Sequence, residues 1–136
     1  MDDNSYLLEL VGQTAENLIR KFGYCNCFGM YRTATGVNAY VMPDTIGKAG
    51  LDPNDRESFF EYIAKQVEPL EIVSAAIVVS AQIVPDPNQP PKDAIVVHME
   101  TKDAPATYFI RPYVVDGSDA TFEEPFFQDS ESRLLV

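Results

Sequence analysis

The chain has 136 residues, of which 46% are hydrophobic and 11% aromatic, and this composition predicts one folded domain with a buried core. Its formal net charge of −11 would repel nucleic-acid phosphates and anionic membrane surfaces, so neither is expected as a direct partner. The sequence has no apolar run of the roughly 18 residues that a membrane-spanning helix needs, and its acidic start lacks the basic region of a secretory signal.

The first elements are predicted to be a helix and a β-hairpin. Residues 5–22 carry apolar side chains at spacings of three and four, the pattern of an amphipathic helix, and Gly23 is suited to end it. Residues 24–32 and 36–42 predict two strands, because Gly36, where the second range begins, allows the positive φ of a hairpin turn.

A loop and a second helix are predicted next. Residues 43–50 contain one proline and two glycines and are predicted to be irregular. Asp52 resembles a helix N-cap and Pro53 a first helical residue, so the helix is predicted to begin there and to run to about Val67. Its buried stripe is predicted to consist of Phe59, Phe60, Ile63 and Val67.

The longest strand is predicted over residues 73–83, where alternate side chains form one wholly apolar face and one face of small, mixed residues. A proline-rich connection over residues 85–92 leads to strands at residues 94–100 and 106–115. Short connections favour an antiparallel meander. The order α-β-β-α-β-β-β therefore predicts an α+β fold with a five-stranded antiparallel sheet and two helices packed on one face.

The composition changes after residue 115. Residues 116–136 contain six acids and one base, and so hold −5 of the net charge of −11. A disordered acidic tail would lack large apolar residues, whereas this segment has five, so we expect it to dock partly on the rest of the chain or on a partner. We therefore divide the chain into a single α+β domain at residues 1–115 and an acidic C-terminal extension with apolar anchors at residues 116–136. The anchors are Phe122, Phe126, Phe127, Leu134 and Leu135.

No metal or cofactor is predicted. Cys25 and Cys27 would share one face of a strand, a poor arrangement for a disulfide, and free thiols indicate a cytoplasmic protein. A zinc site needs four ligands. The two cysteines and the single histidine, His98, would supply only three. Residues 45–50 lack the first glycine and the hydroxyl of a phosphate-binding loop.

His98 and Glu100 share one face of a predicted strand and form the clearest pair for general acid–base chemistry. One strand register would add Arg111 and Tyr113 to that face, giving a ligand-binding cluster of four residues. The other register would place Tyr108 beside His98, and the sequence does not choose between them. A polar sheet face without catalytic function is favoured, because half-buried antiparallel sheets commonly have one, and no catalytic residue is predicted.

The strand at residues 106–115 is interrupted by Pro112, which cannot donate to a sheet ladder. We therefore predict that this strand lies at a sheet edge or is bulged there. A sheet edge with aromatic neighbours is a place where a second chain can add. The candidates for a partner interface are Tyr108, Phe109, Phe122, Phe126 and Phe127.

These features favour a non-catalytic protein-interaction module that acts as a homodimer or binds a basic protein partner, since an acidic surface attracts a basic one. Two alternatives stay open. The protein could bind a small molecule, or act as an enzyme, through the polar face around His98 and Glu100. It could also inhibit a nucleic-acid-binding protein by mimicking phosphates, although the clustering of acids in residues 116–136 argues against an evenly charged surface.

Overall fold

The computed structural model describes residues 3–84, 86–117 and 119–135, and these residues form an α+β fold with an antiparallel sheet. Residues 118 and 136 of the predicted extension, and Pro85 of the proline-rich connection, lie outside them. The described elements are α1 (Asp3–Phe22), β1 (Phe28–Thr33), β2 (Asn38–Val41), α2 (Pro43–Lys48), α3 (Arg56–Gln66), β3 (Ile72–Ile83), β4 (Lys92–Thr101), β5 (Thr107–Asp116), β6 (Asp119–Phe122) and β7 (Phe126–Asp129).

The sheet has the strand order β2-β1-β3-β4-β5-β6 and curls into a half-barrel. β7 also pairs with β5, so that β6 and β7 follow one another along the same side of that strand. Between them, residues 123–125 face only Arg111 and Pro112, which makes a β-bulge of one extra residue. Glu123 N donates to Pro112 O at 2.8 Å within this bulge. β5 is therefore an interior strand, and the irregularity at Pro112 lies in its neighbour.

The prediction of a five-stranded sheet with two helices on one face is wrong. The described residues form seven strands and three helices, and the helices lie on both faces of the sheet. α1 packs on the face of β3 that carries Ser74, Ala76 and Val78, where small side chains leave room for a helix close to the strand. Its buried stripe consists of Leu7, Val11, Ala15 and Ile19.

α3 covers the opposite face of β3 with Phe59 and Ile63, which pack with Ala75 and Ile77. The close approach depends on Gly29 in β1. A Cβ at that position would lie 3.1 Å from Ile63 Cδ1 and 3.3 Å from a backbone oxygen of β3. A methyl group there would require the Ile63 side chain and the β3 backbone to give by a few tenths of an ångström.

Two helix predictions also need correction. Residues 43–48, predicted to be a loop, form α2, which starts at Pro43 and is anchored by the fully buried Ile46. α3 begins at Arg56 rather than at residue 53, because Asp55 is the N-cap and accepts a hydrogen bond from Glu57 N at 3.0 Å. Asp52 instead closes the preceding turn through Asn54 N.

Three local predictions are confirmed. α1 ends before Gly23, which has φ of 82° and donates from its amide to Ile19 O at 2.7 Å. β1 and β2 form an antiparallel hairpin whose turn includes Gly36 at φ 88°. β3, β4 and β5 form the antiparallel meander.

Candidate functional site

The pair His98 and Glu100 lies on β4, on the face of the sheet that α3 covers. Ile95, Val97 and Met99 point toward α1, so strand alternation turns the residues between them to the other side. Only 3% of His98 and 1% of Glu100 is exposed to solvent. A carboxylate buried this deeply is strongly destabilising unless hydrogen bonds compensate its lost hydration.

Residues 130–135, which we call the C-terminal clasp, supply those hydrogen bonds. The amide of Arg133 donates to Glu100 Oε2 at 2.9 Å, and that of Leu135 donates to Oε1 at 3.0 Å. The amide of Leu134 lies between the two oxygens, at 2.9 Å from Oε1 and 3.0 Å from Oε2. His98 Nε2 donates to Oε2 at 2.7 Å. Four donors therefore surround one carboxylate.

These donors hold Glu100 in its charged form. Burial acts to raise the pKa of Glu100, but the hydrogen bonds from His98 and from the backbone of the C-terminal clasp outweigh it and lower the pKa from 4.5 to about 2. Ser130 Oγ lies 3.1 Å from His98 Nδ1. A neutral imidazole that donates from Nε2 and accepts at Nδ1 satisfies both contacts.

The outer part of the C-terminal clasp is fixed to α3. The Arg133 guanidinium lies 3.8 Å from the ring centre of Phe60 and bonds both carboxylate oxygens of Glu57, with Nη1 at 3.2 Å from Oε1. Leu134, which is 6% exposed, joins the apolar core beneath α3. The clasp thus connects β4, through the buried carboxylate of Glu100, to α3, through the exposed carboxylate of Glu57.

The space beside His98 is too small for a substrate. Its ring is packed edge-on between Phe60, at 5.0 Å between ring centres, and Tyr108, at 5.4 Å. The adjoining cavity has a volume of about 10 Å³, which is room for one water molecule at most. A general base must come within hydrogen-bonding distance of the proton it removes. The geometry of His98 and Glu100 instead suits a structural role, the attachment of the C-terminal clasp.

The four-residue cluster of one predicted register does not form. The register places His98 directly opposite Tyr108, whereas Arg111 and Tyr113 lie on the face covered by α1. Arg111 forms an ion pair with Glu16 of α1 at 3.0 Å, and Tyr113 is buried in the core beneath that helix. The four candidates are therefore divided into two pairs on opposite sides of the sheet.

The five aromatic interface candidates lie in different surroundings. Phe109 and Phe127 are in edge contact across β5 and β7, with ring centres 5.5 Å apart. Phe122 packs against the α1-side core, and Tyr108 is half-buried beside the histidine of β4. Of the five, the most exposed are Phe127, at 62%, and Phe126, at 37%.

The apolar face predicted on the longest strand is covered along only part of its length. α3 covers only one end of β3 and β4, and its first residue, Arg56, borders Val79 and Val96. Beyond that point, paired residues of β3, β4, β5 and β7 carry apolar side chains on the same side of the sheet. This surface, which we call the open face, consists of Val79, Ala81, Ile83, Ala94, Val96, Ile110, Pro112, Val114 and Phe126. Ala94, Ile110 and Pro112 are buried within it, whereas Val114 and Phe126 are exposed and the other four residues are half-buried.

The two cysteines are free and lie on the boundary of both cores. Cys25 is buried in the core beneath α1, whereas Cys27 is half-buried against the core beneath α3. Burial raises the pKa of Cys25 to about 11 and that of Cys27 to about 12, so both thiols are protonated at neutral pH. In the described part of the chain, no group of three or more histidine, cysteine or carboxylate side chains is arranged to hold a metal ion.

Comparisons with protein-family models, curated proteins and solved structures each found no match. Among the described helices, none combines the length and the apolar character that crossing a membrane requires.

Proposed function

We propose that this protein is a non-catalytic, cytoplasmic protein-interaction module that forms a homodimer through its open face. The observation that carries the proposal is a group of neighbouring apolar residues on the sheet, six of which are exposed or half-buried. On this surface Val114 is 54% exposed and Phe126 is 37% exposed. A contiguous apolar patch on a sheet is a common mark of a protein–protein interface.

The apolar character of the open face permits a second copy as its occupant, although the two chains carry the same charge. Two chains that each carry −11 repel one another wherever their charged surfaces meet. None of the residues of the open face is charged, and Lys92 at its rim is paired with Glu123 at 3.0 Å. Two open faces can therefore pack as a sandwich of sheets with the carboxylates directed outward.

The alternative of catalysis at His98 and Glu100 has less support. Both oxygens of Glu100 are occupied by donors, and the histidine has no adjoining space for a substrate. The cytoplasmic assignment rests on Cys25 and Cys27, which are unpaired, and a reducing compartment keeps such thiols free.

Size-exclusion chromatography with light scattering tests the proposal on the full chain. The wild type should elute as a dimer, and Val114→Lys should elute as a monomer, because the new charge would be buried in the interface. Val37→Lys is the matched control, since Val37 is 56% exposed and lies in the turn between β1 and β2. A monomeric wild type, or a Val114→Lys variant that stays dimeric, would contradict the proposal.

A further inference from the structure

A groove lies on the other side of the sheet, between α1, β5 and Pro125, the residue that precedes β7. It has a volume of about 340 Å³, and Leu8, Phe109 and Pro125 form its apolar lining. Gly12 opens it on the helix side, because a Cβ built there meets no atom within 4 Å. The exposed ring of Phe127 extends the apolar surface from Phe109 onto the sheet edge.

The surroundings of this groove are acidic. Glu9 and Glu16 lie on its helix side, and Glu16 is paired with Arg111. Glu124 immediately precedes the groove residue Pro125, and Asp129 shares the face of Phe127 on β7. The lining itself holds two carboxylates and the guanidinium of Arg111, and Asp129 adds a further carboxylate on the neighbouring strand.

The edge of the sheet beside the groove is available for pairing. β7 is hydrogen-bonded to β5 along one side only, and no other described strand pairs with it. All four of its residues are exposed. An unpaired strand edge presents backbone donors and acceptors in the spacing that an added strand requires.

We propose that this groove binds an extended segment of a basic partner protein, which adds to the sheet beside β7. Every second side chain of the added strand points to the face of α1. An apolar side chain there would pack on Phe127, whose ring contacts Phe109 at the groove, and the longer lysine or arginine side chains would pair with Asp129 on β7 and reach toward Glu9 across the groove. A second copy of this chain is a poor occupant, because its own charge is −11.

The probe for this proposal is a short fluorescent peptide in which lysine alternates with valine, and its binding to the full chain is followed by anisotropy. The same peptide with glutamate in place of lysine should not bind. Affinity for the lysine peptide should fall with added salt, since charge pairs contribute to it. Absence of binding at low salt, or equal binding of the glutamate peptide, would overturn the proposal.

The variant Gly12→Leu locates the site. Leucine is a better helix former than glycine and has free space at this position, so the protein should fold while the groove is filled. Affinity for the lysine peptide should decrease at least about tenfold, which corresponds to about 1.4 kcal/mol. Gly47→Leu in α2, where an added Cβ also meets nothing within 4 Å, is the matched control and should bind normally. Equal affinity of Gly12→Leu and wild type would contradict the assignment.

This inference goes beyond the proposed homodimer, and the two can fail separately. The open face and the groove lie on opposite sides of the sheet, so Val114→Lys should abolish dimer formation and leave peptide binding unchanged. Light scattering on the anisotropy samples therefore reports on the homodimer while anisotropy reports on the groove. If Val114→Lys lost peptide binding as well, the groove would not be an independent site and the proposal would be wrong.

Discussion

One side of β3 and β4 carries two different surfaces, a closed half beneath α3 and the C-terminal clasp, and the open face beyond it. On β3 both halves show the same alternation of apolar residues, whereas on β4 the closed half carries His98 and Glu100. The difference lies in the length of the cover. α3 has 11 residues and extends about 16 Å, whereas the 12 residues of β3 extend about 40 Å. Alternation thus predicts an apolar face, and the helix length decides how much of β3 has a cover, although Ala94 and Ile110 on the neighbouring strands are buried without one.

Matched truncations on the two halves give the largest expected effect. Ile77→Ala removes a side chain that is 2% exposed and should lower the free energy of unfolding by about 4 kcal/mol. Val79→Ala lies on the open face, where the wild-type residue is half-buried, and should lower it by about 1 kcal/mol. Both are measured by urea denaturation in a Val114→Lys background, which keeps self-association out of the comparison. Equal losses would mean that the two halves are equally covered.

Removing the charge of Glu100 should separate the clasp from the closed half. Glu100→Gln replaces one acceptor oxygen by an NH₂ group that faces backbone donors. We expect the free energy of unfolding to fall by about 3 kcal/mol in urea denaturation. Glu124→Gln is the matched control on an exposed residue and should change it by less than about 0.5 kcal/mol. A loss as small as that of the control would show that the clasp contributes little.

The same carboxylate predicts how the stability of the closed half depends on pH. The pKa of Glu100 is lower in the folded protein, about 2 against 4.5, so its contribution is present above pH 4.5 and is lost as the pH falls toward 2. The difference in unfolding free energy between wild type and Glu100→Gln should therefore shrink by about 2 kcal/mol between neutral pH and about pH 3. A difference that stays constant over this range would contradict the assigned pKa.

The exposed part of the C-terminal clasp should matter least. Arg133→Met keeps an unbranched side chain over Phe60 and removes both the ion pair with Glu57 and the cation–π contact. Each of these contributes about 0.5 to 1 kcal/mol at an exposed site, so the unfolding free energy should fall by about 1 kcal/mol. Thermal denaturation measures the difference between the variant and the wild type. This difference should be smaller in high salt, since salt screens the ion pair. A loss as large as that for Glu100→Gln would show that the exposed contacts of Arg133 stabilise the protein as much as the buried carboxylate does.

Local periodicity in the sequence predicted α1, the hairpin and the meander, because each depends on neighbouring residues. β6 and β7 were missed for the opposite reason. They are four-residue strands in an acidic segment. Their stability comes from pairing with β5 and not from their own composition. The placement of α1 on a separate face could have been predicted from Ser74, Ala76 and Ser80, since small side chains on a central strand leave space for a helix.

The candidate site was less predictable than the fold. A histidine and a glutamate within a buried apolar strand must find partners, which identifies His98 and Glu100 as important. Nothing in residues 130–135 indicates that three consecutive amides bind this carboxylate, because the contact joins residues 33 to 35 positions apart. Arg111 and Tyr113 lie on the opposite face of the sheet from His98 because of the strand register. A sequence with apolar residues on both faces does not determine that register.

The C-terminal clasp also has a consequence for the order of folding. The carboxylate of Glu100 and the amides of residues 133–135 that bind it are 33 to 35 positions apart in the chain. Closing a loop of this length lowers the conformational entropy of the chain before the hydrogen bonds form. We therefore expect this contact to form after the transition state of folding. In stopped-flow experiments Glu100→Gln should therefore accelerate unfolding and leave the refolding rate nearly unchanged. The carboxylate would then govern how long the native protein persists rather than how quickly it forms.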